Sequence, residues 1–296
     1  MDGTTDLSFA SVFRPWRPEF MESTDGQPLA TDLSQLFTRL PDERLPENPY
    51  VAFFVRRDVL VGLILFYIAS LHLFAAVRDA TGFSAKESPT FRNFVAAHNL
   101  SLAIFSVVSL YNTLSIVVEN MMMGPDGWVA MGCDAEGIHW NSGLGGWAFI
   151  YFLSKLLEFV DTWILVLKGK QPSFLQVFHH IGMVLINWGV IRARSSWTYF
   201  PASLNLFIHS LMYTYFFIKT LYPKAEIKQA KYLTMAQIGQ FVLGITVSLL
   251  WALKLPTFCI SQASAFVLIF LQTYTAILVV MFATFARQRY KLNKQA

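Results

Sequence analysis

Apolar positions along this chain gather into seven long stretches, each bounded by charges or by Gly and Pro: residues 59–77, 98–118, 146–167, 174–191, 198–221, 232–253 and 262–286. Each is near the ~20 residues that carry a helix across a bilayer. Backbone groups left unpaired in lipid cost several kcal/mol apiece, so the stretches are predicted to be helices. The expected fold class is all-α, a polytopic membrane protein with seven transmembrane helices spanning residues 58–287. A non-membrane segment, 1–57, is expected before them and a basic tail, 288–296, after them. The leading segment carries Pro15, Pro18, Pro28, Pro41, Pro46 and Pro49 with no early apolar run, which argues against a cleavable signal peptide.

Composition agrees with that picture. Of 296 residues, 54% are hydrophobic and only 14% charged, with 27 Phe, whereas soluble domains carry about 25% charged residues. A disordered chain, a disulfide scaffold and an ordinary cytosolic enzyme are thereby excluded. A net charge of +4 gives no case for nucleic acid. The positions of the charges are more telling: the connections after stretches one, three and five and the C-terminal tail hold 13 Lys and Arg, against 3 after stretches two, four and six. The positive-inside rule puts the first set, and with it the C-terminus, in the cytoplasm. Seven crossings then put the N-terminus in the lumen, although Arg56 and Arg57 pull the other way. Cys133 and Cys259 both fall on the luminal side, where they are read either as a disulfide or as two free thiols.

Ionisable groups inside a membrane span face the bundle interior and are functional candidates by default. Stretch three holds Lys155, Glu158 and Asp161; Lys155, Glu158 and Thr162 fall within about 60° of one helical face, with Asp161 to the side. Stretch four carries Gln176, His179, His180 and Asn187, stretch five Asn205, His209, Met212 and Tyr213, and stretch six Gln237 and Gln240. At about 1.5 Å per residue, Asp161, His179 and Gln237 lie roughly 8–9 Å from the cytoplasmic ends and His209 about 18 Å. Four helices thus place polar groups in the cytoplasmic half of the membrane, as expected of a shared site in a narrow tunnel open to the cytoplasm and apolar towards the lumen. Such a shape suits an amphiphile with its head in cytosolic water. Each feature also has a structural reading: an ion pair for Lys155 and Glu158, and interhelical hydrogen bonds for Asn205, Gln237 and Gln240.

Six histidines, at least two of them outside this cluster, are fewer than the histidine boxes of a membrane di-iron oxygenase require. His179, His180 and His209, with no cytoplasmic cysteine, also make a poor zinc site. Imidazole acting without a metal, as nucleophile or general base, is the chemistry left. A transporter or receptor for an amphiphilic ligand is the alternative, since carriers also hold intramembrane charge. Yet adjacent histidines facing a third give a receptor no purpose, and the two halves of the chain show no internal symmetry.

Four blocks carry a resemblance: Lys155-x-x-Glu158-x-x-Asp161-Thr162, Gln176-Val-Phe-His179-His180, Asn205-x-x-x-His209-x-x-Met212-Tyr213-x-Tyr215, and Thr234-x-x-Gln237-x-x-Gln240. In this order, over residues 98–290, they resemble the ELO family of very-long-chain and polyunsaturated fatty acid elongases. The resemblance implies a multi-pass endoplasmic reticulum protein, a very-long-chain 3-oxoacyl-CoA synthase. It would condense a fatty acyl-CoA with malonyl-CoA to 3-oxoacyl-CoA, CoA and carbon dioxide, the first step of elongation. It implies catalytic roles for His179, His180 and His209, and substrate contacts from Lys155, Glu158, Asp161, Gln176, Asn205, Met212, Tyr213 and Gln237. No cofactor or metal is implied. Expected partners are acyl-CoA, malonyl-CoA, membrane lipid, the reductases and dehydratase of the cycle and a second copy of the chain. Many family members have His where this chain has Gln176; the Gln form, followed by 210–215, looks most like microbial and algal polyunsaturated elongases and points to C18–C20 polyunsaturated acyl-CoA. Lys294 holds one place of a dilysine retrieval signal, but Lys291 is out of register.

Overall fold

The computed structural model describes residues 32–38, 46, 48–83, 85, 88–122, 132–134, 137–225, 230–254 and 261–292. Cys259, Lys228, Lys294 and most of the proline-rich leading segment lie outside the described residues. Among those described there are helices and no strands. They run α1 Leu33–Phe37, α2 Pro49–Phe54, α3 Arg57–Thr81, α4 Pro89–Met121, α5 Gly145–Leu157, α6 Phe159–Leu167, α7 Phe174–Ala193, α8 Tyr199–Leu221, α9 Ala230–Lys254 and α10 Gln262–Leu292. Five of these, α3, α4, α7, α9 and α10, are long and apolar enough to cross a membrane.

Every predicted stretch is helical, with three departures in extent. Stretch two starts nine residues early, at Pro89, because Ser88 caps the end: its hydroxyl accepts from the Phe91 N–H at 3.1 Å, and Pro89 needs no donor partner at the first turn. Stretch three is broken in two at Glu158, where the chain adopts φ −65 and ψ −14 and the N–H bonds back to Ser154. Stretch seven continues as helix to Leu292 rather than ending at 286, so the basic tail begins inside a helix.

Six helices close a ring. Each of the pairs α4–α8, α8–α9, α9–α10, α10–α7, α7–α5 and α5–α4 is packed together, while α3 stands outside against α6. The inward faces enclose a cavity of about 100 Å³ lined from all six helices, among them Trp147, Met183, Leu206, Phe241 and Leu278.

One end of the ring is closed by the leading segment. Arg192, fully buried near the end of α7, donates to the carbonyls of Val55 at 3.0 Å, Gln35 at 2.6 Å and Thr38 at 3.0 Å. The Trp188 indole N–H also reaches Val55 O, at 3.1 Å. Beside them, the Asp134 carboxylate accepts from the backbone N–H groups of His139 and Trp140 and from Ser196 Oγ, each at 2.8 Å. Burial pushes the Asp134 carboxyl up from its ordinary value, while those three donors pull it down. Hydrogen bonds to a charged group are worth about 1.5–3 kcal/mol each. Arg192→Ala is therefore expected to release α1, seen as faster protease cleavage before residue 49 with the ring intact. Arg192→Lys should not restore protection, because one ammonium cannot fork to three carbonyls.

Candidate active site

The site is built around residues 155–162, where stretch three breaks. Lys155, at the end of α5, is 2% exposed, and Glu158, at the break, 3%. Lys155 Nζ donates to Glu158 Oε1 at 2.6 Å and to Asn205 Oδ1 of α8 at 3.2 Å, and it lies 4.3 Å over the Tyr151 ring. Two charges this deep persist only when paired and hydrogen-bonded. The same Glu158 Oε1 is 3.3 Å from Nδ1 of His209, which is also buried on α8. Tyr151 completes the group by donating to Asn205 Oδ1 at 2.6 Å. Glu158 thus sits between a lysine on its own stretch and a histidine from the facing helix, and within electrostatic reach of His180.

One turn further, Asp161 bonds α4 and the same helix α8 that His209 belongs to. Its Oδ1 lies 2.8 Å from His98 Nε2 on α4, and its Oδ2 accepts from Tyr213 on α8 at 2.6 Å. Thr162, fully buried, takes a hydrogen bond from Gln176 Nε2 at 3.1 Å and pairs with Tyr67 of α3 at 2.9 Å. Four helices are therefore tied to this one short segment.

α7 begins at Ser173, whose hydroxyl accepts the Gln176 N–H at 3.2 Å, and this places His179 and His180 in its second turn. Their rings lie 5.6 Å apart and nearly perpendicular. They differ in access. His180 is buried beside Tyr67 and Phe159, at 6.3 and 6.4 Å between ring centroids, and its Nδ1 has no partner. His179 is half-buried, and its backbone carbonyl accepts from Tyr274 of α10 at 2.9 Å. The Tyr274 ring occupies the space above Gly182, where any Cβ would overlap it. Gly182→Ala is expected to displace Tyr274 and cost about 1–3 kcal/mol, read as a lower unfolding temperature in detergent.

The remaining expected contacts lie at the margin. Met212 is bridged to Gln237 of α9 by an Nε2–Sδ contact of 3.4 Å, the interhelical bond the sequence suggested. Gln240 lines the cavity instead, with its Oε1 buried and unpartnered. Sequence reasoning missed Tyr67, His98, Tyr151 and Tyr274. Tyr151 was within reach, standing four residues before Lys155 on the same helical face. His98 is the first residue of the second apolar stretch, and the early beginning of α4 at Pro89 places it well inside the helix. Among the described residues no group of His, Cys, Asp and Glu is arranged to hold a metal ion. Cys133 is disulfide-bonded.

The cavity and the polar cluster meet. Tyr151 and Asn205, both bonded into the Lys155–Glu158 group, also line the cavity wall, as does Tyr274. Fold and site together define a multi-pass helical membrane protein with buried imidazoles and a charged pair against a largely apolar chamber. Comparison with known proteins gives the class its name: residues 53–296 match the ELO, or GNS1/SUR4, family, and the chain belongs to it. It is 32% identical over 204 residues to Fatty acid elongase 1 of Trypanosoma brucei brucei, covering 68% of this chain and 66% of that one, just under two thirds of the relative's length. It is 30% identical over 214 residues to Fatty acid elongase sre1 of Dictyostelium discoideum, covering 71% and 77%. Very long chain fatty acid elongase 5 of Xenopus tropicalis is 30% identical over 218 residues, covering 71% and 72%.

Proposed function

We propose that this protein is the condensing enzyme of fatty acid elongation, a very-long-chain 3-oxoacyl-CoA synthase. It would join a long-chain acyl-CoA, of the C18–C20 polyunsaturated class, to malonyl-CoA. One observation carries the reading: Asn205 and Tyr151 belong at once to the charged cluster and to the wall of the apolar cavity. A thioester carbonyl can then lie against polar groups while its hydrocarbon tail enters the apolar chamber, as an amphiphilic substrate requires. The named relatives support the elongase assignment, and the Gln176 form supports the polyunsaturated preference.

In the proposed route, His179, the more accessible imidazole, attacks the acyl-CoA carbonyl. An N–C bond forms, the C–S bond breaks, and the imidazole proton leaves with the thiolate as CoA-SH. Malonyl-CoA then loses carbon dioxide, and its enolate carbon attacks the acyl-imidazole carbonyl, releasing 3-oxoacyl-CoA and a His179 that regains a proton. His209, held by Glu158, would orient against the enolate oxygen, and His180 would serve as the proton partner of His179. Asn205 and Gln176 would bond the thioester oxygen, the latter by leaving Thr162. Met212, Tyr213, Asp161 and Gln237 support the polar mouth. Lys168, Lys170, Lys224, Lys228 and Lys231 supply the positive charge that the CoA phosphates need.

This reading places the protein in the endoplasmic reticulum membrane with its C-terminus in the cytoplasm. A disulfide at Cys133, with Cys259 the other cysteine of the chain, suits an oxidising lumen. The test is expression in a host lacking polyunsaturated elongation, fed C16–C22 acids, with labelled malonyl-CoA supplied to its membranes. Label should enter acyl chains two carbons longer than the acid fed. Uptake of acids without incorporation would overturn the enzyme in favour of a carrier.

A further inference from the structure

Each turnover of the proposed reaction consumes a proton. Acyl-CoA and malonyl-CoA give 3-oxoacyl-CoA, carbon dioxide and CoA-SH, and the charge of the malonyl carboxylate is balanced only if one proton is taken from water. In the route above the first half needs none, because the His179 proton leaves with the thiolate. The demand falls in the second half, when the enolate breaks the N–C bond of the acyl-imidazole and leaves His179 as an imidazolate. That ring lies within electrostatic reach of Lys155, Glu158 and His209, whose side chains are only 2%, 4% and 8% exposed. His98 and Asp161 reach further towards water, at 11% and 21%. They form one line of hydrogen bonds with Tyr213: His98 Nε2 lies 2.8 Å from Asp161 Oδ1, and the Tyr213 hydroxyl donates to Asp161 Oδ2 at 2.6 Å. The inner end of this line stands beside the imidazoles, since the Tyr213 and His209 rings, one turn apart on α8, are 5.6 Å apart. Its outer end lies towards the end of the ring away from the leading segment, where Asn99, next to His98, reaches Thr220, the last residue but one of α8, at 3.4 Å. Nothing in the route above uses His98.

We propose that His98, Asp161 and Tyr213 form the path by which this proton reaches the buried imidazoles. This rests on the elongase reading above and on its acyl-histidine route. His98 touches no substrate; it is a positioning residue that acts through Asp161. It takes a proton from water on Nδ1 and releases its Nε2–H to the Asp161 carboxylate, as an imidazole with two ring nitrogens can. Tyr213 gives its hydroxyl proton inward, through His209, to the imidazolate, and takes another from the Asp161 carboxyl. An imidazolate is a far stronger base than tyrosinate, so the inward transfer runs downhill. Each O–H or N–H bond broken is replaced by one formed, and the sum is one proton moved from water to His179. The competing role for His98 is structural, as a polar tie between α4 and the segment that holds Asp161. The two roles differ in what they predict for the half-reactions: a tie serves both equally, whereas a proton path serves the malonyl half alone.

The experiment compares full-length wild type, His98→Gln and His98→Ala in detergent, with the two half-reactions followed by rapid quench. Gln keeps an N–H donor for Asp161 but cannot pass a proton through its side chain. With acyl-CoA alone, His98→Gln should release its first CoA as fast as wild type. On addition of malonyl-CoA, product should form about 10²-fold more slowly, the lower end of what a positioned proton transfer contributes. Its malonyl half should also show a larger solvent deuterium isotope effect than that of wild type, because proton delivery then limits the rate. Imidazole added to His98→Ala should speed the malonyl half and leave the first half unchanged. Equal slowing of both halves, or a malonyl half that imidazole does not speed, overturns this inference and makes His98 a tie between helices. Should His98→Gln fail to accumulate, the imidazole response of His98→Ala decides. A wild type that incorporates malonyl carbon but releases no CoA from acyl-CoA alone overturns the acyl-histidine route and this inference with it, and the elongase reading stands. A wild type that incorporates no malonyl carbon overturns the elongase reading itself.

Discussion

His179→Ala is expected to abolish incorporation of malonyl carbon, with a loss of about 10³-fold or more, while the protein remains folded. A residue that forms a covalent intermediate has no substitute within the site, and removing such a nucleophile costs at least as much as losing a general base. The structure gives a reason to expect intact folding. His179 is half-buried, and its tie to α10 runs through its backbone carbonyl, which accepts from the Tyr274 hydroxyl and which alanine retains. Wild type incubated with acyl-CoA alone should release one CoA per protein and carry an acyl group on His179, visible by mass spectrometry of the peptide. If CoA appears only when malonyl-CoA is added, and no adduct forms, His179 acts as a base and the covalent route is wrong. His180→Ala is the useful contrast. It should slow the reaction without preventing the adduct, because its part is to exchange protons with its neighbour.

The second large effect concerns Lys155 and Glu158, for which a structural role and a chemical role compete. Replacing Glu158 by Gln leaves the Lys155 ammonium buried without its counter-charge. Breaking a buried pair in this way costs about 3–5 kcal/mol, so Glu158→Gln should lower the unfolding temperature sharply. Lys155→Met combined with Glu158→Gln removes both charges, and most of the lost stability should return. Activity should not return with it, because the carboxylate 3.3 Å from His209 Nδ1 is still missing. Thermal unfolding in detergent and the labelled malonyl assay, measured on the same preparations, separate the roles. Recovery of both together would reduce the pair to a strut of the bundle. Recovery of stability alone shows that the pair serves the chemistry as well as the fold.

Lys155 and Glu158 pair within one stretch while Asn205 and His209 meet them from α8, and this marks how far the chain could be read without coordinates. The local part was legible. Lys155 and Glu158 stand three residues apart, so one helical turn brings them together whatever the tertiary fold, and the observed 2.6 Å contact is what that spacing predicts. The Gln237–Met212 bridge was half legible: a polar side chain in lipid must find a partner on another helix, though not which one. The Asp161–His98 contact, across 63 residues, was not legible, since it depends on how α4 is rotated and how far it extends.

The sequence by itself determined the helices, because lipid offers backbone amides no other partner and apolar length alone marks where they run. It also determined which residues are too polar to face the bilayer. Tertiary structure alone decided how those residues pair. It put Glu158 at a break rather than inside a helix, joined Asp161 to His98 and Tyr213, locked Arg192 onto the leading segment, and stood Tyr199 between the inner cavity and an outer groove. The physical reason is that hydropathy is a property of each position along the chain, whereas contact depends on the rotation, offset and crossing of packed helices, which six rods closing a ring fix only together.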